Sequence, residues 1–400
     1  MQIGWIDFSN NDRKKSLNVI RLLEEPGAID ELGIGRIRDA FADKFFPGTS
    51  TLMTRAKYFF IIPYAFRKAL KDKTLTNTKI LIQKVENEIE KECAQMLKNK
   101  FPKEEGIIGS RNLPSGWVTR KPSSIYWSGL KRTGIFTYPS LSIEGYVKQA
   151  LRDRINADNR QHIKLSLTKP DDEIDDFDAG LTAKTPFWNI PRYDEKKWLK
   201  EISLDLTFTE ASFLHKQISR SFKGSLYQYL LDSPMNLADM SFENMAKLVY
   251  QNVSPQNQQL IDYAVPFSIL VLLGQIRYNL MFTEGKNQQV KDAWDDVSQR
   301  IREIQSLNIK AMLLRLGIFD SKTEIFLQNL QKYLLEGDCN SVDDLIRSRE
   351  IKLKTRARAK LLRANEYPAE DIRGMHYLDY RFSTARNIIN DILAGELSDE

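Results

Sequence analysis

The sequence predicts a mostly α-helical protein, and apolar periodicity is the main reason. One stripe recurs at intervals of three and four residues and comprises Val290, Trp294, Val297, Ile301 and Ile304. A second stripe, from Leu378 to Ile392, repeats the pattern, which is typical of helices packed in a bundle. Glycine makes up only 19 of the 400 residues, which favours helices over a glycine-punctuated β-sandwich. We therefore predict a C-terminal α-helical bundle over 193–400.

The first 170 residues are predicted to be α or α+β. The stretch from Ile3 to Phe8 is apolar and short enough to be a buried strand, and any strands are expected in this part. Helices are predicted where apolar residues recur at helical spacing between glycine and proline breaks. They cover 13–24, 34–46, an aromatic-rich run bent at Pro63, and 79–98. A short strand is the alternative for the aromatic-rich run.

A helix-turn-helix or winged-helix module is a candidate fold for 110–154. Short helices are predicted at about 123–134 and 142–154, and basic residues such as Lys131 and Arg132 interleave there with aromatic residues. Basic and aromatic side chains together suit contact with nucleic acid. The simpler interpretation is a small core packed on Trp127 with ordinary surface charges.

A domain boundary is predicted at 171–192. Six of the eight residues from Asp171 to Asp178 are acidic, and Pro186 and Pro191 follow. Such a stretch is typical of a solvated linker or loop. We therefore expect an N-terminal domain over 1–170 and a C-terminal helical domain over 193–400.

The composition is that of an ordinary globular protein, with 42% hydrophobic and 28% charged residues. Two cysteines and three histidines cannot supply a disulfide framework or an imidazole-rich metal centre. The glycine-rich phosphate loops, the HExxH zinc motif and the GxSxG serine-hydrolase motif do not occur in the sequence. We accordingly assign no catalytic residue, no metal and no cofactor.

Two weaker patterns keep an enzymatic alternative open. His162-Ile163-Lys164 is similar to the start of a phospholipase-D-type HxKxxxxD motif, but Lys169 stands at the aspartate position and no second copy occurs. Glu195 and Lys197 form an E-x-K pattern that Asp175, Asp176 or Asp178 could complete as a metal-dependent nuclease site. We prefer a loop histidine and a solvated acidic surface, and keep a divergent nuclease as the alternative.

A cytoplasmic location without membrane contact is expected. The N-terminus lacks the basic and apolar regions of a secretory signal. The most apolar stretch, from Ala264 to Leu273, has about half the length that spans a bilayer. We predict that this stretch is a buried core helix.

The segment from Leu345 to Arg363, here called the basic segment, is the most distinctive charge feature. It holds eight basic residues and one acid, Glu350, so its net charge of +7 exceeds the +6 of the whole chain. The basic residues are Arg347, Arg349, Lys352, Lys354, Arg356, Arg358, Lys360 and Arg363. A helix here would expose a basic stripe and pack Leu353, Leu361 and Leu362 into a core.

Phosphate backbones bind such surfaces through counterion release. We therefore predict that the basic segment contacts nucleic acid, and DNA in particular, with Lys131 and Arg132 as a second contact. The alternative is an ionic face whose charges are paired within the protein.

Three blocks of sequence resemble an uncharacterised bacterial family catalogued only as a domain of unknown function. They are IGWIDFS at the start, the stretch over 30–64 that contains FPGTSTLMTRAKYF, and LDYRFSTARNIINDIL at 378–393. Members of that family tend to be encoded beside helicases and phospholipase-D-like nucleases, in loci thought to defend against phage. The resemblance implies a partner protein of such enzymes, and it supplies no catalytic motif.

These observations favour a non-catalytic, nucleic-acid-binding or adaptor component of a bacterial anti-phage defence system that acts with a helicase or nuclease. A divergent metal-dependent nuclease is one alternative. A protein-only scaffold without nucleic-acid contact is another, and the sequence does not separate it from the first hypothesis.

Overall fold

The structure is a computed structural model that describes residues 32–167, 186–366, 372 and 374–398, with side chains described outside 158–167 and 365–366. Within those ranges it is mostly helical and contains no β-strand, which confirms that the fold is mostly α. An isolated antiparallel bridge joins Phe136 and Trp188. The strand predicted at Ile3–Phe8, the helix predicted at 13–24 and most of the predicted linker lie outside the described residues.

The chain divides into two compact units, each built from separated stretches. The first unit combines Met1–Phe41 with Phe242–Tyr380, and the second combines Ala42–Ser241 with Arg381–Glu400. Residues 193–241 therefore group with residues that precede the acidic stretch, which differs from the predicted split into 1–170 and 193–400.

The α-helices of the earlier half are α1 (Gly35–Phe45), α2 (Tyr58–Lys71), α3 (Thr78–Lys84), α4 (Glu90–Lys100), α5 (Pro122–Arg132), α6 (Ile143–Leu167), α7 (Phe208–Ser221) and α8 (Leu226–Asp232). The later ones are α9 (Phe242–Val249), α10 (Pro255–Phe282), α11 (Gln288–Val297), α12 (Ile309–Leu316), α13 (Ser321–Glu336), α14 (Cys339–Lys354) and α15 (Phe382–Leu397). Short 3₁₀-helices lie at Ser110–Asn112, Ser298–Ser306 and Lys360–Glu366.

The first unit is built around α10. The apolar stretch from Ala264 to Leu273 lies in this helix and is largely buried, as predicted. Among the described residues α10 alone is long and apolar enough to cross a membrane, and 67% of its most apolar window is buried inside the protein. The apolar stripe predicted from Val290 to Ile304 also lies on helices, because α11 and the 3₁₀-helix after it bury Val290, Val297 and Ile304.

The second unit holds an aromatic core. The run with Pro63 forms a helix, α2, as predicted, and ten of its 14 residues are buried. The rings of Trp127, Phe136 and Tyr146 pack at centroid distances between 4.6 and 6.0 Å. Aromatic pairs in this range add stability beyond the area that they bury.

The helix predicted at 79–98 forms with one difference, a π-helical turn at Val85–Ile89 between α3 and α4. One stripe of buried residues follows four-residue steps and comprises Leu81, Val85, Ile89, Cys93 and Leu97. Steps of four overshoot the 3.6-residue turn, so an uninterrupted α-helix would rotate the stripe away from the core. The wider π turn accommodates the overshoot and keeps the stripe on one face.

The helix-turn-helix or winged-helix module is not confirmed. Ten residues separate the end of α5 from the start of α6, whereas a helix-turn-helix joins its helices by a turn of about three or four residues. Trp127 is buried and donates a hydrogen bond from Nε1 to the Leu141 carbonyl (3.1 Å). The region around Trp127 is therefore a packed core, which was the simpler interpretation.

Candidate functional site

The basic segment is not one helix, so the condition for a single basic stripe along it is not met. Helix α14 ends at Lys354, and Thr355 takes φ 69° and ψ 157°, a conformation that β-branched residues strongly disfavour. The chain turns back at once, because the amides of Arg358 and Ala359 both donate to the Thr355 carbonyl (3.1 Å each). The segment resumes as the 3₁₀-helix at Lys360–Glu366.

Glu350 holds this turn in place. Its side chain is 0% exposed, and its oxygens accept hydrogen bonds from the backbone amides of Lys360 (3.0 Å) and Leu361 (3.1 Å). The Tyr278 hydroxyl donates to the same carboxylate at 2.9 Å, and the Lys354 ammonium lies 3.6 Å away. The one acid of the basic segment is therefore its internal anchor, and its isolation among bases was the only sequence signal for that role.

The leucines predicted to anchor the basic segment do not all do so. Leu353 is 44% exposed and Leu362 is 39% exposed, whereas Ile346 and Ala359 are fully buried. The break at Thr355 is the reason, because it changes the direction of the chain between Leu353 and Leu362. Packing therefore runs through Ile346 and Ala359.

Three cations of the basic segment point into solvent. Lys352, on the last turn of α14, and Arg356 and Arg358, in the turn after it, are exposed. Across the described residues, no ion pair involves any of these three side chains. Arg347 is exposed too, but it pairs with Asp344 at 2.9 Å. Three closely spaced cations are thus available to an anionic partner.

Other cations of the segment serve the fold. The Arg349 guanidinium donates to the Leu32 carbonyl (3.1 Å) and the Thr323 hydroxyl (2.9 Å) and lies 4.8 Å from the Phe326 ring centroid. Lys354 faces Glu350, and Lys360 and Arg363 are half-buried. The basic segment is therefore divided between internal and external charges.

The second predicted contact lies in the other compact unit. Lys131 is half-buried, and Arg132 lies 3.4 Å from the Asp43 carboxylate. Arg381 binds the same carboxylate at 2.8 Å, so Asp43 already neutralises part of this charge.

The residues of the enzymatic alternative are dispersed or undescribed. The backbone of His162 lies in α6, but its side chain and Asp178 are outside the described atoms. Glu195 lies at the surface, hydrogen-bonded to Lys71 and 3.2 Å from Arg67, and the Lys71 contact lowers the pKa of that carboxyl. No group of three histidine, cysteine or acidic side chains in the described ranges is placed to hold a metal ion.

His215 lies between two carboxylates. Its Nδ1 is 3.0 Å from Glu396 and its Nε2 is 2.9 Å from Asp232. Burial acts to lower the pKa of His215, but the hydrogen bonds to Glu396 and Asp232 outweigh it and raise the pKa. Because both ring nitrogens are engaged, this histidine links α7 to α8 and α15 and offers no nitrogen as a base.

A small cavity in the second unit was not predicted from the sequence. It has a volume of about 230 Å³ and lies between α2, the start of α7 and the stretch 191–203. At its base the buried Lys57 ammonium lies 2.6 Å from Glu210, and Tyr64 donates to the same carboxylate at 3.2 Å. Burial raises the pKa of Tyr64 well above its ordinary value, so its hydroxyl stays protonated and donates. These residues are widely separated along the chain, and no short motif could have united them.

Three carboxylates line this cavity beside Lys57, namely Asp194, Glu201 and Glu210. Glu210 is committed to Lys57 and to the α7 capping box with Thr207. Asp194 accepts the amides of Lys196 and Lys197, and those bonds lower the pKa of its carboxyl. The cavity therefore supplies hydrogen-bonding groups in fixed positions.

Comparison with known proteins places the chain in a family. No curated protein and no solved structure matches it. The profile of a family of unknown function (DUF6361) matches residues 1–295, a range that contains the block FPGTSTLMTRAKYF and ends before LDYRF. The match covers well over half of the 400 residues, and the chain therefore belongs to the family of unknown function DUF6361.

Proposed function

We propose that this protein binds nucleic acid, with duplex DNA as the ligand, as a non-catalytic component of a bacterial anti-phage defence system. The observation that carries the proposal is the set of three exposed cations, Lys352, Arg356 and Arg358, presented around one rigid turn. Exposed lysine and arginine side chains bind phosphate oxygens and release counterions from the duplex.

The turn at Thr355 supports this assignment by its geometry. Backbone held in a sparsely populated conformation costs on the order of 1–3 kcal/mol and persists only where its surroundings fix it. Here the buried Glu350 carboxylate supplies that fixation through the amides of Lys360 and Leu361. Strained, over-determined turns cluster at functional sites, and this one presents Arg356 and Arg358.

A charge-reversal experiment tests the proposal. Changing Lys352, Arg356 and Arg358 to glutamate should weaken binding to unrelated duplex sequences equally, because phosphate contacts position a protein without reading bases. Fluorescence anisotropy with three unrelated duplexes measures this, and circular dichroism should show an intact fold because all three side chains are exposed.

Reversal of Lys291, Lys310 and Arg315 is the matched control. These residues are exposed cations of the same unit and lie on α11 and α12. If both triple variants weaken DNA binding equally, the loss comes from the change in net charge and not from the basic segment. A basic-segment variant that binds as tightly as the wild type would reject the site.

We further propose that the protein acts with a helicase or phospholipase-D-like nuclease. This partner proposal rests on the gene neighbourhoods that the resemblance implies. Pulldown of co-expressed locus neighbours, with and without nuclease treatment, tests it: capture that survives treatment supports direct contact, and failure to capture any neighbour in either condition contradicts it. A metal-dependent nuclease predicts cleavage of DNA with magnesium or manganese, and our proposal predicts none.

A further inference from the structure

Three aromatic side chains lie at the cavity in the second unit. Tyr64 stacks on Tyr193 with ring centroids 3.7 Å apart and an interplanar angle of 19°, and Trp198 meets Tyr64 at 5.5 Å and 64°. All three rings line the cavity. Tyr64 is buried, and the Arg67 guanidinium lies over the Tyr193 ring at 5.4 Å from its centroid. Trp198 is half-buried, so its ring is the one open to an incoming molecule. An accessible indole ring favours planar ligands.

The base of the cavity offers one donor beside one acceptor. Two of the three Lys57 ammonium hydrogens are used, by Glu210 Oε2 (2.6 Å) and the Asp205 carbonyl (3.1 Å). Glu210 Oε2 also accepts from the Thr207 amide (3.0 Å), whereas Oε1 accepts only the Tyr64 hydroxyl (3.2 Å) among described groups. One Lys57 hydrogen and one Glu210 Oε1 lone pair therefore remain without a partner among the described groups that line the cavity.

The volume of the cavity and the charges that line it limit which class of ligand it can bind. A cavity of about 230 Å³ is smaller than the roughly 300–1,000 Å³ typical of drug-sized ligands, so it takes a single small ring system. Lys57 and Glu210 neutralise each other, and the exposed Asp194 and Glu201 outweigh Arg192 among the other lining charges. An acidic rim repels a polyphosphate and admits a neutral planar ring with a polar edge.

We propose that this cavity binds a nucleobase. The ring stacks on Trp198, the Lys57 ammonium donates to a carbonyl or ring nitrogen, and Glu210 Oε1 accepts from a ring N–H or amino group. Base edges carry the donors and acceptors that this arrangement requires. The base comes either from a free nucleoside or from an unpaired nucleotide of a strand. The site shares no residue with the basic segment, so either proposal can fail while the other stands.

Titration of the full-length protein with adenosine, guanosine, cytidine and uridine tests the site. We expect saturable 1:1 binding of at least one nucleoside by calorimetry, with quenching of tryptophan fluorescence. Trp198→Leu should weaken that binding roughly 5- to 150-fold, the effect of losing one base–aromatic stack. Trp294→Leu, which changes another half-buried tryptophan outside the cavity, should leave affinity unchanged.

Two further measurements identify the source of the base and distinguish this proposal from the proposal of duplex DNA binding. Competition of the bound nucleoside by single-stranded oligonucleotides identifies a strand as the source, and its absence identifies a free nucleoside. Neutralising Lys352, Arg356 and Arg358 should not alter nucleoside affinity. Absence of saturable binding by all four nucleosides, equal affinity in Trp198→Leu, or equally tight binding of ribose 5-phosphate would each overturn the proposal.

Discussion

Glu350 is fully buried in the middle of the basic segment, where it binds two backbone amides, a tyrosine hydroxyl and a lysine. A buried carboxylate is costly unless its oxygens are satisfied, and here they are. Its hydrogen bonds fix the turn that carries Arg356 and Arg358. The single acidic residue of the basic segment thus determines how the neighbouring cations are presented at the surface.

Replacing Glu350 by alanine should destabilise the first unit by about 3 kcal/mol or more, because the amides of Lys360 and Leu361 and the Tyr278 hydroxyl lose their acceptor. Urea unfolding measures the loss, and hydrogen exchange should rise at 355–363. Asp344→Asn, which breaks the exposed pair with Arg347, is the control and should change stability little. Equal stability of the two variants would contradict the anchoring role.

Glu90 provides a pH-dependent test at the same scale. Burial raises the pKa of its carboxyl to about 8, although the Ser123 amide donates to it at 2.9 Å and acts in the opposite direction. The pKa of Glu90 in the folded protein lies above its unfolded value of about 4.3. The contribution of Glu90 to stability is therefore complete below a pH of about 4.3. It is lost as pH rises through about 8.

Glu90→Gln should therefore gain stability relative to the wild type between pH 5 and 8, with a limiting slope of about 1.4 kcal/mol per pH unit. Urea unfolding across that range measures the difference. Glu92→Gln, at an exposed neighbouring position, should show no such slope. A Glu90→Gln curve parallel to that of the wild type would refute the raised pKa.

At the scale of elements, the pairing of α7 with α15 joins distant parts of the sequence in the second unit. A Cβ atom at Gly395 would lie 2.8 Å from the Ala211 Cβ and 3.1 Å from the Leu206 carbonyl oxygen. The close approach of α15 therefore requires glycine at that position. His215 adds a polar link between the same helices through Glu396.

Gly395→Ala should consequently destabilise the protein by about 1–3 kcal/mol, the usual cost of overpacking. Gly145→Ala is the matched control, because its nearest neighbours lie at an ordinary 3.4 Å and alanine is the better helix former. Thermal unfolding should thus shift in opposite directions for the two variants. A Gly395→Ala variant as stable as the wild type would show that α15 does not pack so closely.

Helices were largely predictable from apolar spacing, as α1, α2 and the stripe from Val290 to Ile304 show. The π turn at Val85–Ile89 and the break at Thr355 were not, because each depends on tertiary contacts that override local periodicity. The three exposed cations lay within the predicted basic segment, but composition could not separate them from Arg349, which binds inside the first unit. The cavity depends on residues more than a hundred positions apart, such as Tyr64 and Tyr193.

At the scale of the whole molecule, the chain crosses between its two compact units at 41/42, 241/242 and 380/381. Each unit includes a stretch that is distant in sequence from the rest of that unit. In the second unit this stretch contains α15. The residue pattern along the sequence therefore predicts where the charge and the helices lie. It does not predict which stretches combine into each compact unit. The proposed DNA contact belongs to the first unit and the proposed nucleobase site to the second.

The most direct test of DNA binding through Lys352, Arg356 and Arg358 is the salt dependence of duplex affinity. Changing all three to glutamine should reduce the log–log salt slope by about 2.7, because each phosphate contact contributes about 0.9. In 0.1 M salt this corresponds to a loss of roughly 100- to 1,000-fold in affinity. Glutamine at Lys291, Lys310 and Arg315 should leave the slope unchanged. A wild-type affinity independent of salt, or the same slope in wild type and basic-segment variant, would contradict the account.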